Sequence, residues 1–381
     1  YSGEVTITPI QQWLFAHQGS GHNLFNQSCA FALTRNVNIN TLEQAVTYTV
    51  NKHAGLRQGF RQSSNGDWSS WVAAPVERCS AKIVRVKAHS ANEEEAWINQ
   101  YLAEQDQSFN LSEPPLIKYW VFQTRFSRHH FVVFAVHHLV IDALSWSYIL
   151  QDINQAYSDF PHLQTNAFDN SFIKFAQIAS DNNSQACKQS VSSQYGVADT
   201  IVAPELLRGD QNTYAKAAYL IQPLTSQRAA HQFNKVVIPA GVHNDEFLLT
   251  ALALAVQEWC GRQTFSIDIE TNGRNGVDEA DNTTTGGWMT SFVGVQFDLA
   301  SHSAIDSLLS VMQQCRQTAL MPSENGPAQL CFNFLGSAFD NVCMQHDVIG
   351  ARTSAISLPR HSASLCRPYA LELDVWMDGQ A

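Results

Sequence analysis

Residues 131–150, FVVFAVHHLVIDALSWSYIL, constrain the fold more than any other stretch of the chain. A run rich in Val and Phe ends in two adjacent histidines, His137 and His138, and helix-forming residues follow Asp142. The pattern predicts a buried strand, a tight loop and a helix. Strand side chains alternate in direction, so His137 shares one face with Phe131, Val133 and Ala135, and His138 shares the other with Val132, Phe134 and Val136. Only one of the two histidines can then face a given cavity. On physical grounds that histidine would be a general base tuned near neutrality, with Asp142 bracing the turn through an arginine or backbone amides. A hydrogen-bonded structural role is the competing reading for any histidine on an apolar strand.

At 381 residues the chain is long enough for two lobes, expected at 1–165 and 196–381 with a polar, turn-rich linker region at 166–195. In the first lobe, TPIQQWLF reads as a capped helix start with Pro9 at its first position, and FNQSCAFAL as a strand. TLEQAVTYTVNKHAGL has helical spacing with Gly55 near its end, and ANEEEAWINQYLAEQ is an acidic-started helix. WSSWVAAP and AKIVRVKA are short strands, and LIKYWVFQTRF pairs as a hairpin with HHFVVFAVHH. The fold class is therefore mixed α/β (α+β). In the second lobe DEFLLTALALAVQEWC is a helix capped by Asn244 and stopped by Gly261, apolar nearly all round and expected to be buried. TFSIDIETNGRN is a strand with Phe265, Ile267 and Ile269 on one face and Ser266, Asp268 and Glu270 on the other. FVGVQFDL, CFNFLG and YALELDVWM add strands, and IDSLLSVMQQCRQTAL a further helix.

A formal charge of -11 argues against nucleic acid as partner, because phosphate binding rests on clustered Lys and Arg. No apolar run reaches the roughly 18 residues of a membrane helix, and YSGEVTITP lacks a secretory pattern, so no membrane association and a cytoplasmic location are expected. The eight cysteines contain no CxxC pair or zinc-like spacing, and most read as reduced core thiols. There is no HExxH, no glycine-rich phosphate loop and no GxSxG elbow, so neither a metal nor a soluble cofactor is called for. The chain starts without Met and stops at MDGQA, which reads as a piece of something longer.

The decapeptide from His137 to Trp146 resembles the HHxxxDxxSW signature of the condensation and epimerisation domains of nonribosomal peptide synthetases, in the chloramphenicol-acetyltransferase-like superfamily. TPIQQWLF with FNQS, the HxxLR set His53, Leu56 and Arg57, and NDEFLLTAL resemble the epimerisation type. IETNGRN stands where that type has EGHGRE, GGWMTSF where it has GWFT, and CFNFLG where it has FNYLG. Glu270 and Arg274 match EGHGRE, whereas Thr271, Asn272 and Asn275 depart from it, and Phe334 replaces the tyrosine of FNYLG.

The resemblance implies two chloramphenicol-acetyltransferase-like lobes in a V-shaped pseudo-dimer, with a tunnel between them as active site. It implies an aminoacyl or peptidyl thioester on the phosphopantetheine arm of an upstream carrier protein as substrate, epimerised from L to D at Cα, with a condensation domain downstream. His138 and Glu270 would be the catalytic pair, with the helix N-terminus after His138 as a source of amide donors for the enolate. His137, Asp142 and Arg274 would support the site. Ser145, Trp146, Trp288, Asn333 and Phe334 would meet substrate or arm, with Ser145 a helix-start hydrogen bonder rather than a nucleophile and Trp288 equally readable as core. Glu270 paired with Arg274 or another cation in a lobe-bridging salt bridge is the structural alternative. RFSRHH at 125–130 could steer an acidic carrier, but nine strand residues, about 30 Å, separate Arg128 from His137, and a solvated hairpin tip is the simpler reading. Two competing functions remain: a condensation-type amide-forming acyltransferase, and a degenerate module that docks a carrier without catalysis.

Overall fold

The computed structural model describes residues 1–17, 21–162, 168–189, 212–222, 243–274, 284–299, 329–336, 348–358 and 361–376. The chain forms two units. The first comprises Tyr1–Asn182, Arg274–Met289 and Ala338–Ser362; the second comprises Asn183–Gly273, Thr290–Ser337 and Ala363–Ala381. Where two continuous lobes were expected, the described residues 284–289 and 348–358 group with the first unit.

The first unit carries a three-stranded and a five-stranded sheet. In the small sheet β1 (Gly3–Val5) pairs antiparallel with β4 (Trp68–Val72), which pairs antiparallel with β3 (Gln58–Gln62). In the larger sheet β2 (Asn26–Leu33) lies antiparallel to β7 (His130–His137), and β7 antiparallel to β6 (Ile117–Gln123) as the expected hairpin. β5 (Lys82–Arg85) runs parallel to β6, and β11 (Ile349–Thr353), which has no clear strand pattern in the sequence, pairs with β2. Both faces of β7 are buried. Phe131, Val133 and Ala135 pack with Ile98 and Leu102 of α3 (Ala91–Ala103), and Val132, Phe134 and Val136 are equally enclosed. Burial on both faces explains why this strand reads as a continuous apolar run rather than an alternating one.

Caps set the helix starts. Thr8 Oγ1 accepts from the Gln11 amide while Gln11 Oε1 accepts from the Thr8 amide, fixing the start of α1 (Pro9–His17). Asn38 caps α2 (Ile39–Lys52) and Asp142 caps α4 (Ala143–Asp159). α2 ends at Lys52, and Gly55 lies beyond it in a 3-10 turn, Ala54–Arg57. The expected linker region is largely helical: α5 (Ser171–Gln189) buries Phe172, Phe175 and Ala176 against Ala54, Val72 and Met289. Its polar composition hides a short apolar stripe. The tip of the β6–β7 hairpin is tied down by Glu94, whose carboxylate accepts from the amides of Arg125, Phe126 and Ser127. Burial opposes that ionisation, but the hydrogen bonds outweigh it and hold the Glu94 carboxyl below its ordinary pKa.

In the second unit the four-stranded sheet runs β12 (Leu371–Trp376), β10 (Leu330–Gly336), β8 (Thr264–Thr271), β9 (Ser291–Asp298). β10 is parallel to both neighbours, and β8 is antiparallel to β9. The helix α6 (Asn244–Cys260) lays Leu249, Ala253 and Val256 on Phe265 and Ile267. It is capped by His243 rather than Asn244, with the His243 amide donating to Glu246 2.7 Å away, and Gly261 ends it at φ 68°. It is not enclosed all round. Phe247, Leu254 and Trp259 are exposed, so apolar composition overstated its burial. The helix expected at 305–320 lies outside the described residues. Among the described residues no helix is long and apolar enough to cross a membrane.

Candidate active site

β7 ends at His137, and His138 opens a 3-10 turn, His138–Val140. Strict alternation therefore stops one residue short of His138. The amide of His138 still donates to the Phe25 carbonyl at 2.8 Å, which holds the turn beside β2. His137 is fully buried. Its Nε2 lies 2.6 Å from the His22 carbonyl, and its Nδ1 accepts from the Leu139 amide at 3.2 Å. Burial pushes its pKa down to about 3, so it is a neutral packing residue at physiological pH.

His138 is only half-buried. Its Nε2 stands 2.9 Å from Gln27 Nε2, and the Gln27 Oε1 accepts from the Trp146 indole at 2.8 Å. The ring centroids of Trp288 and Phe25 lie 4.5 Å and 5.4 Å from the imidazole. An aromatic pocket thus surrounds a half-buried imidazole.

Asp142 holds this corner together. Its carboxylate accepts from Arg274 Nη1 at 2.9 Å and Nη2 at 3.2 Å, and from the amides of Ser145 at 2.8 Å and Met289 at 3.1 Å. Both partners of the ion pair are buried, and the bidentate fork supplies the geometry that a desolvated pair needs. Arg274 thus pairs with Asp142. Ser145 is fully buried, with Oγ 2.7 Å from Asp142 Oδ1 and accepting from the Gly287 amide at 3.1 Å. Trp146 is equally buried, with its N–H spent on Gln27. Both residues expected against the arm lie inside the scaffold. Three of the amides after His138 are engaged: Leu139 donates to His137, Ile141 to the His138 carbonyl and Ser145 to Asp142.

Segment 285–289, which brings Trp288 to His138, is fixed from the other side. Thr285 Oγ1 donates to Asp169 at 2.9 Å, and the Gly286 amide donates to His53 Nδ1 at 3.2 Å. His53 Nε2 lies 2.7 Å from Asp152. Burial alone would lower the pKa of His53, but Asp152 and Asp169 reverse that and raise it. The packing leaves no room for side chains at these glycines: a Cβ on Gly55 would sit 2.3 Å from the Gly286 carbonyl oxygen, and one on Gly287 2.3 Å from the Phe172 ring. Trp288 itself is 3% exposed.

In the second unit Glu270 is half-buried near the end of β8. It stands in register with Asn333 of β10, which is in register with Asp374 of β12. Registered neighbours share a sheet face, so Asp268, Glu270, Asn333, Glu372 and Asp374 form one polar surface. Tyr369 donates its hydroxyl to Asp268 at 3.1 Å. Phe334, expected to meet substrate or arm, alternates to the other face and packs, partly buried, on the apolar cluster around Phe265.

A family model described as the condensation domain matches residues 1–330. This chain belongs to the condensation-domain family. It is 25% identical over 89% of its length to surfactin synthase subunit 2 of Bacillus subtilis (strain 168), and 27% identical over 78% to tyrocidine synthase 2 of Brevibacillus parabrevis. It spans only 10% and 8% of those proteins. Among solved structures, the epimerization domain from the third module of tyrocidine synthetase B superposes over 100% of this chain and 90% of that one, with TM-score 0.78 and 22% identity. That likeness establishes the condensation-type α/β fold.

Within this condensation-family framework two features escape a reading of the sequence. Gln27 lies inside the FNQS motif with no role attached, and only the strand pairing of β2 with β7 brings it to His138. Gly55 is legible as a glycine, but the backbone contact that requires it, with the Gly286 carbonyl, joins residues more than 200 positions apart.

Proposed function

We propose that this domain epimerises the α-carbon of an aminoacyl or peptidyl thioester carried on the phosphopantetheine arm of an upstream carrier protein, within a nonribosomal peptide synthetase that continues into a condensation domain. The observation that carries the reading is Glu270, a half-buried carboxylate on the polar face of β8 in register with Asn333. Acyl transfer to an amine needs one base, which His138 alone would supply. Inversion at carbon needs a proton taken from one face and returned to the other, and so a second group able to hold a proton. We assign those roles to His138 and Glu270. The Cα–H bond breaks, its electron pair passes into the thioester enolate, and protonation from the opposite side restores the C–H bond. Asp142, Arg274 and His137 hold the histidine's corner, and Trp288 lines it. The epimerisation-type motifs at TPIQQWLF, FNQS and NDEFLLTAL support this branch.

The test loads an L-aminoacyl or peptidyl chain on the cognate carrier, adds the domain in heavy water, and follows deuterium at Cα together with configuration. Exchange with inversion is expected, and Glu270→Gln should abolish inversion while the domain stays folded. Unchanged exchange in Glu270→Gln would remove the carboxylate from the mechanism. The condensation reading is favoured by the description of the matching family model. Its sign would be a peptide bond formed between two loaded carriers with no label at Cα.

A further inference from the structure

We propose that Gln27 is a positioning residue that fixes the tautomer of His138, holding the proton on Nδ1 and keeping the lone pair on Nε2, the atom that meets the substrate once the Gln27 amide withdraws. The chain of donors starts at Trp146. An indole N–H can only donate, so Gln27 Oε1, 2.8 Å away, must be the acceptor, and this decides which end of the amide is oxygen. The other end is then the NH2 group, 2.9 Å from His138 Nε2. An amide nitrogen offers no lone pair, so His138 Nε2 must accept, and the proton of the neutral ring resides on Nδ1.

The anchor is rigid. Trp146 is 1% exposed and packs beside Phe134, and Gln27 projects from β2 in register with Val136, one strand across from β7. His137 provides the contrast. Its Nε2 faces a carbonyl and its Nδ1 an amide N–H, which puts its proton on Nε2. Two adjacent histidines are thus held in opposite tautomers by opposite partners, and only His138 presents an Nε2 lone pair.

The catalytic consequence rests on the epimerase reading. The α-proton passes to Nε2, where the Gln27 amide gives way, and the Cα electron pair enters the thioester enolate; Glu270 then gives a proton to Cα from the opposite face, and the enolate pair returns to the new C–H bond. With the ring turned to its other tautomer, the lone pair would sit on Nδ1, which is buried.

The experiment uses the domain labelled with 15N at histidine and two-bond 15N–1H correlation, without carrier or substrate. His137→Gln and His138→Gln assign the two rings. We expect His138 in the Nδ1–H form and His137 in the Nε2–H form. Gln27→Glu keeps an oxygen for Trp146 but turns a second acceptor toward His138, so the ring should acquire a proton on Nε2 while His137 is unmoved. α-Proton exchange in that variant should fall by about a hundredfold, the scale of a misplaced general base. Gln27→Met, which bonds neither neighbour, should show mixed tautomers, and Trp146→Phe should do the same if Gln27→Glu fails to fold. A wild-type His138 protonated on Nε2, or a His138 spectrum indifferent to Gln27→Glu, overturns the proposal. Because the spectrum needs no substrate, the expected tautomer in a domain that performs no exchange would count against the epimerase reading alone.

Discussion

Replacing His137 by Gln should flatten the pH dependence of stability on the acid side by an amount the structure sets. His137 is fully buried, and its pKa falls from the ordinary 6.5 to about 3, chiefly through burial. A histidine whose folded pKa is depressed contributes nothing adverse above about pH 6.5, where it is neutral in both states. As pH falls below that value the unfolded chain takes up a proton that the folded chain refuses. Stability then declines by about 1.4 kcal/mol per pH unit, until the folded pKa is reached. From pH 7 to pH 5 the loss from this one group is about 2 kcal/mol. Glutamine keeps an N–H for the His22 carbonyl but does not titrate. Urea unfolding followed by tryptophan fluorescence, run on both proteins at the two pH values, gives the comparison. The variant should be the weaker at pH 7 and should lose about 2 kcal/mol less on acidification. His22 and His130, also lowered by burial, and His53, raised by its carboxylates, remain in both proteins and drop out of the difference. Parallel losses in the two proteins would mean that His137 titrates normally and that its burial has been misread.

Arg274→Met should cost about 3–5 kcal/mol in urea unfolding, because it leaves the Asp142 carboxylate buried without its cation. Asp142→Asn in that background should cost little more, so a double-mutant cycle would report strong coupling. Gly287→Ala should destabilise by about 1–3 kcal/mol through its clash with Phe172, and Phe172→Leu should recover part of the loss in melting temperature.

Most of the strands and helices are legible in the sequence because their signals are local. The β6–β7 hairpin announces itself through its apolar runs, and Gly261 marks the end of α6 through its left-handed conformation. α5 escapes because Phe172, Phe175 and Ala176, buried in its first turns, are followed by a largely polar sequence. The role of Asp142 is legible in kind, as is Arg274 as a supporting residue, but the assignment of one to the other joins residues 132 positions apart and needs the fold. The alternation argument puts the two histidines on opposite faces; the 3-10 turn at His138 replaces that reason with a different one. Seen in three dimensions, Ser145 and Trp146 work from inside, as a spacer under Asp142 and an anchor for Gln27.

The discontinuity of the first unit also sets a timetable for its synthesis. β2 finds its partner β11, and Asp142 its partner Arg274, only after the intervening second-unit residues have been translated. At about 5–20 residues per second, the delay between Asn182 and the end of β11 is on the order of ten to thirty seconds. Until Arg274 is made, about halfway through that interval, the nascent first unit holds the Asp142 carboxylate without its cation, and for the whole of it an open sheet edge beside β2. Such a species is a natural client for chaperones, and slowing the ribosome between these two points should lengthen its exposure.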